Sequence, residues 1–387
     1  MTDEHRSPLK PSTLAAQALG WIEPFTRSVV PAIYPSKNYE RSADGNCPDG
    51  RVYTRDQNPT YDQAEALLAQ LEGGKAALLF SSGMAAGTTV FETLSPGDHV
   101  IAPRMMYWTI RVWLESLMSR GRIQVDFIPN GDLDALRMAL RPGRTKIVWL
   151  ETPANPTCDI TDIAATAEIA HAAGATVVAD GTLATPVLCK PIEFGVDLVI
   201  HSATKQLNGH SDVLAGALVT AREDEMWEQI KWERANRGTV LGPFEAWLLL
   251  RGMRTLYVRV PISSSGARRV AEELARHQAV TQVFYPGLSS HPHHEIAMQQ
   301  MHGGCGPLVS FRVSGGEQAA KKVAGALKLF KNATSFGGVE SLVEHRAAVE
   351  GPRSLVPRDL LRLSIGIEDV DDLIADLEHG LAQVLEI

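Results

Sequence analysis

Between Ala76 and Val219 short apolar runs alternate with helical stretches, and that order restricts the chain to a sheet whose strands run mostly parallel. The runs are Ala76–Phe80, His99–Ala102, Gln124–Ile128, Lys146–Leu150, Thr176–Ala179, Asp197–Ile200 and Ala215–Val219. Between them the patterns Ala85–Leu94, Ile110–Ser119 and Ile163–Ala173 read as helices. Ligands of such a sheet gather at the carboxyl ends of its strands, which is where functional residues are sought.

On either side of this core the pattern changes. Residues 1–60 are rich in Pro, Ser, Asn and Asp and predict an extended arm. From Tyr61 a helical face, Ala64, Leu67, Leu68 and Leu71, runs to a stop at Gly73-Gly74. Residues 61–254 therefore form a large domain. Residues 255–387 mix helices (Ser265–His277, Glu317–Leu327, Val370–Leu385) with a strand, Leu308–Val313, and predict a smaller α+β domain. A length of 387 residues accommodates both.

The net charge of −8 is spread, with no basic run to track a phosphate backbone, so nucleic acid is not an expected partner. Residues 1–10 lack the apolar core of a signal peptide, and no segment is apolar enough for a bilayer, so a cytoplasmic protein without membrane contact is expected. Cys47, Cys158, Cys189 and Cys305 are far apart and read as free thiols. His291, His293 and His294 lack metal-ligand spacing and read as a surface loop, so no metal is expected.

Three segments carry candidate chemistry. The strand ending in Ile200 delivers Ser202, Thr204 and Lys205 into a turn closed by Gly209. Two hydroxyls there suit a phosphate, and a buried lysine with a lowered pKa suits an aldehyde. Ser81-Ser82-Gly83-Met84 follows a strand and opens a helix, an anion seat or merely a capped helix. Val177-Val178-Ala179-Asp180 ends an apolar strand in a carboxylate, which either caps a helix or holds a proton on a heterocyclic nitrogen.

With these segments in place the chain resembles the cystathionine γ-synthase family, the Cys/Met metabolism enzymes that use pyridoxal phosphate (PLP), over nearly its whole length. The matching stretches include Tyr53-Thr54-Arg55, the Ser81–Ala86 turn, Tyr107, Glu151–Thr157, Asp180, His201–Asp212, Gly242–Glu245, Ser335–Ser341 and Leu361–Ser364. The resemblance implies an α/β fold of PLP fold type I, with a mostly parallel seven-stranded sheet. It implies that Lys205 carries the cofactor as a Schiff base, Asp180 pairs with its ring nitrogen, and Tyr107 stacks on the ring and serves as a proton donor. Ser82, Gly83, Met84, Thr182, Ser202 and Thr204 would complete the cofactor site, and Tyr53 and Arg55 would reach the phosphate of a neighbouring subunit. A homotetramer of catalytic dimers follows. Arg362, with Asn155 and Ser335, would bind the α-carboxylate of an amino-acid substrate.

The implied activity is a carbon–heteroatom lyase, with γ-elimination from cystathionine or a related homoserine-type amino acid as the leading reading. Canavanine γ-lyase, cystathionine β-lyase and γ-replacement by a sulfhydrylase or synthase are the alternatives. A nucleotide-binding protein would need a GxGxxG or GxxxxGK[ST] fingerprint, which the chain lacks, and a silent PLP-fold protein is at odds with Lys205, Asp180, Tyr107 and Arg362 together. Departures from the family pattern fall in three segments. Tyr107 is followed by Trp108-Thr109-Ile110-Arg111, one residue short, and Arg111 aligns with an arginine near the distal end of the substrate in cystathionine lyases. Thr334 stands where a glutamate is usual, Phe336 replaces leucine or tryptophan, and Glu344-His345-Arg346 lacks the usual proline.

Overall fold

The computed structural model describes residues 9–384, so the first eight residues of the polar N-terminal segment, and Leu385 of the expected closing helix, lie outside them. Seven strands, β1 (Ala76–Phe80), β2 (His99–Pro103), β3 (Gln124–Ile128), β4 (Thr145–Glu151), β5 (Thr176–Asp180), β6 (Leu198–His201) and β7 (Gly216–Thr220), form one sheet. Its order is β1-β7-β6-β5-β4-β2-β3. Only β7 runs against its neighbours, so the expectation of a mostly parallel seven-stranded sheet is met.

The apolar runs are continuous because both faces are covered. Along β1, Ala77 and Leu79 join one core cluster while Leu78 and Phe80 join another across the sheet. The helix Pro59–Glu72 buries Ala64, Leu67, Leu68 and Leu71 against the first cluster. It is capped by Asn58, whose side chain accepts the Thr60 N–H at 2.9 Å, and it ends at Gly73, where φ is +73°.

A second sheet follows from β8 (Val280–Phe284), β9 (Leu308–Val313), β10 (Lys331–Asn332), β11 (Leu342–Glu344) and β12 (Leu360–Ser364), in the order β10-β11-β12-β9-β8. Its own core holds Phe311, Phe330, Val343 and Leu363 beneath the helices Leu256–Leu274, Gly316–Ala326 and Val370–Ala382. The first of these begins nine residues before the expected Ser265, because Pro261 reads as a breaker yet sits inside the helix.

The N-terminal region is not extended throughout. Pro11–Gln17 is helical and Ala15 is fully buried in the main core. Beyond it the chain from Trp21 to Asn58 has only the isolated bridge Asn38–Tyr53, and Phe25 and Val29 are 90% and 69% exposed. The three cysteines Cys158, Cys189 and Cys305 are buried free thiols, while Cys47 is half-buried. His293 and His294 bond the backbone carbonyls of Ile160 and Pro286 through Nδ1. No helix among the described residues is long and apolar enough to cross a membrane.

Candidate active site

The carboxyl ends of β1, β4, β5 and β6 open into a cleft of about 480 Å³. At the end of β1, Ser82 caps the helix Gly83–Glu92, its Oγ accepting the Ala85 N–H at 3.0 Å. Gly83 and Met84 thus lie in the first turn of a helix whose free N–H groups favour an anion. A Cβ on Gly83 would stand 2.8 Å from the Ser202 Cβ, and one on Gly216 only 2.0 Å from the Ser82 carbonyl oxygen. Only glycine lets these three turns close on one another.

At the end of β6 the Ser202 N–H donates to Thr182 Oγ1 at 2.8 Å, and the Thr204 hydroxyl donates to the Ala215 carbonyl at 3.0 Å. Lys205 projects into the cleft, with Nζ 2.6 Å from Ser335 Oγ. Burial lowers its pKa to about 8, and the nearby Arg362 charge acts in the same direction. Ser335 is held at φ +91°, a backbone strain of the kind that persists at sites fixed by their surroundings.

Asp180, at the end of β5, accepts the Thr182 N–H at 2.9 Å. Burial pushes its carboxyl upward, while Thr182 and the charge of His201 pull it back. A cationic ring nitrogen beside it would restore the charged form.

Arg362, on β12, is 2% exposed. Its Nη1 donates to Asn155 Oδ1 at 2.9 Å, and Nη2 donates to the Ser335 carbonyl at 2.8 Å and meets Glu344 Oε2 at 2.6 Å. Nε is buried without a partner among the described residues. Burial holds the guanidinium pKa down to about 10. A cation with an unused buried donor in a cleft is suited to a small carboxylate.

Sequence reasoning gave no role to Glu151, although it lay within a quoted segment. It ends β4 in register with Asp180 on β5 and lines the cleft. Oε2 accepts the Tyr107 N–H at 2.6 Å and Oε1 accepts the Asn155 N–H at 2.9 Å. One carboxylate therefore ties together the loop of Tyr107 and the loop of Asn155. Burial, and then the Asp180 charge, raise its pKa to about 8. The signal was available: Val148-Trp149-Leu150-Glu151 is an apolar strand ending in an acid, as Asp180 is.

One residue expected at this cleft, Arg111, lies elsewhere, and Tyr53 and Arg55 were expected to serve a neighbouring subunit's cleft rather than this one. Arg111 does not line the cleft: Nη1 donates to the Arg104 carbonyl at 2.6 Å, Nε pairs with Glu115 at 3.1 Å, and the guanidinium lies 4.3 Å from the centre of the Phe127 ring. Its helix, Trp108–Ser119, turns that side chain toward Glu115, one turn on. Tyr53 and Arg55 are exposed, stacked on each other at 5.3 Å, and also absent from this chain's own cleft wall.

The remaining residues fit pyridoxal phosphate on the chemistry of the donor set. A helix N-terminus and hydroxyls face one end of the cleft, an amine of lowered pKa stands at its centre, and an acid lies within the wall. Comparison with known proteins agrees. Residues 12–382 match the family described as Cys/Met metabolism PLP-dependent enzyme. Cystathionine gamma-synthase of Mycobacterium tuberculosis is 42% identical over 97% of this chain and 98% of its own. L-methionine gamma-lyase of Porphyromonas gingivalis is 41% identical over 87% and 86%. Among solved structures, cystathionine gamma synthase of Xanthomonas oryzae pv. oryzae in complex with cystathionine superposes with a TM-score of 0.94 at 38% identity, covering 98% of this chain and 100% of that one. The chain belongs to the Cys/Met metabolism family of enzymes, and pyridoxal phosphate is its cofactor.

Proposed function

We propose that the protein is a lyase that expels the γ-substituent of a homoserine- or homocysteine-type amino acid, cystathionine among them. The observation that carries this reading is the convergence of Lys205, Asp180, Tyr107 and Arg362 on one cleft, with Lys205 Nζ 2.6 Å from Ser335 Oγ.

Bound pyridoxal phosphate supplies an aldehyde for Lys205 and a ring that stores the electrons left at the substrate carbon. Ser82, Gly83, Met84, Ser202 and Thr204 would hold its phosphate, with Thr182 and Asp180 at the ring. Arg362 would bind the substrate α-carboxylate with Asn155 alongside it. Lys205 Nζ would take the Cα proton, hand it on to the cofactor and, as a free amine again, take one from Cβ, a task suited to an amine with a pKa of about 8. Tyr107, at the cleft mouth and 36% exposed, would donate the proton that accompanies the departing heteroatom.

The exposed apolar side chains of the arm, Phe25, Val29, Val30 and Ile33, support the expectation that Tyr53 and Arg55 serve a neighbouring subunit. We propose an oligomer of catalytic dimers on that basis.

A second reading, γ-replacement, is favoured by the 42% identity to a cystathionine gamma-synthase. Both reactions use the same residues as far as release of the γ-substituent. The test is to incubate the holoprotein with L-cystathionine, L-methionine, L-canavanine and an acyl-L-homoserine, each with and without cysteine, and to identify products by mass spectrometry. 2-Oxobutanoate formed without added thiol supports the lyase. A new thioether formed only with cysteine supports the replacement reading. Pyruvate with homocysteine from cystathionine would move the reaction to Cβ, and hydroxyguanidine from canavanine alone would move the substrate to an oxygen analogue.

A further inference from the structure

Two guanidinium groups line the cleft, Arg362 and Arg346, whereas one α-carboxylate needs only one of them. Arg346 opens the short helix Arg346–Glu350, at the position where the family resemblance leads one to expect proline. It is 6% exposed and is fixed from two sides. Its Nε donates to Glu350 Oε1 at 2.8 Å and its Nη1 meets Glu344 Oε2 at 3.4 Å. Both carboxylates are buried, at 4% and 5% side-chain exposure. Nη2 has no hydrogen-bond partner among the described residues and keeps some accessible surface.

A guanidinium held in this way has its plane set before anything binds, so an incoming acceptor meets a donor that costs little to order. The acids that share the cleft wall make no hydrogen bond or ion pair with it among the described residues, although Glu151 feels its charge. Glu151 is engaged by the Tyr107 and Asn155 N–H groups, and Asp180 by the Thr182 N–H. The same cleft wall carries the uncharged Thr334, Phe336 and Val349, while Glu151, Lys205 and Arg362 lie close enough to feel the Arg346 charge.

We infer that Arg346 is a specificity residue, whose free nitrogen binds an oxygen acceptor, carboxylate or acyl carbonyl, on the distal part of the substrate. This rests on the proposed function, because it takes the substrate to be an α-amino acid anchored at Arg362. It predicts a preference for substrates whose γ-substituent carries such an oxygen over those with a purely apolar tail.

The test compares two amino acids of equal length without a γ leaving group, L-2-aminoadipate and L-norleucine. Binding to the holoprotein is read from the cofactor absorption, so turnover is not needed. Arg346→Met should weaken aminoadipate by on the order of tenfold or more, the effect of one lost charge-assisted pair, and change norleucine by less than about threefold. Because a lone methionine leaves the buried Glu350 without its cation, held only by the Ser354 hydroxyl at 2.7 Å, Arg346→Met/Glu350→Gln is measured alongside and should show the same selective loss. Equal weakening of both ligands would mean that Arg346 acts through Glu344 on Arg362, and would overturn the assignment. Unchanged aminoadipate binding in both variants would also overturn it. Failure of the unaltered protein to bind either amino acid would instead sink the proposed function, and this inference with it.

Discussion

Replacing Glu151 by glutamine is the sharpest probe of how the site is held together. The change preserves shape but leaves one acceptor oxygen where two N–H groups, of Tyr107 and Asn155, now point at two. Above about pH 8, where Glu151 is ionised, one charge-assisted hydrogen bond is lost, about 1.5–3 kcal/mol, and its N–H then faces an amide NH2 in a buried place. Part of this is offset, since burial and the Asp180 charge already oppose ionisation of Glu151, whose pKa they raise to about 8. A net cost near the low end, about 1.4 kcal/mol, corresponds to roughly tenfold in a binding or rate constant. Because the two loops carry groups assigned to different steps, the loss should divide. KM should rise through Asn155 and its partner Arg362, and kcat should fall through Tyr107. Steady-state kinetics with a turned-over amino acid, together with cofactor content and Tm, separate this from simple unfolding. If Glu151→Gln keeps both kcat and KM within twofold, the idea that one carboxylate sets both loops is refuted.

Four other outcomes follow from the same geometry. Lys205 is pushed down to about 8 from the ordinary lysine range, so its amine is protonated below that pH and free to attack an aldehyde above it. The rate at which PLP-depleted protein regains its visible absorption should therefore rise through about pH 8 and then level off. A rate independent of pH between 6 and 9 would count against that assignment. Arg362→Ala should raise KM on the order of tenfold or more, the loss of about 1.5–3 kcal/mol expected for a charge-assisted pair to carboxylate, and an unaltered KM would place the carboxylate elsewhere. Arg55→Ala should increase PLP loss on dialysis if the arm serves a neighbouring subunit, and equal retention would deny it that role. Arg111→Ala should leave the preference between anionic and apolar amino acids unchanged, because Arg111 is spent on Glu115 and the Arg104 carbonyl; a shifted preference would return it to the cleft.

The sheet was legible because its strands are buried on both faces. Such runs have no polar face to blur their ends: the expected Thr176–Ala179 gains only Asp180, and the expected Asp197–Ile200 is shifted by one residue to Leu198–His201. The cofactor turns were legible because glycine and hydroxyl residues at strand ends have few other uses. Six features were not. The helix Leu256–Leu274 hides behind Pro261, and the helix Pro11–Gln17 behind the Pro-rich composition of its surroundings. Ser335 gives no local sign of φ +91°, since serine, unlike glycine, does not advertise that backbone region. The direction of Arg111 depended on Phe127, a residue of β3 that no spacing along the helix reveals. Arg346 and Glu151 belong to a last class: their residue types were visible, but their partners are brought to them only by the folded chain.

The account stands on Lys205 as the residue that carries the cofactor. Borohydride reduction of the holoprotein, followed by proteolysis and mass mapping, tests this directly. The account predicts a phosphopyridoxyl group on the peptide that contains Lys205 and on no other, with none in Lys205→Ala. A label on a different lysine, or stable labelling of the Lys205→Ala protein, would contradict it.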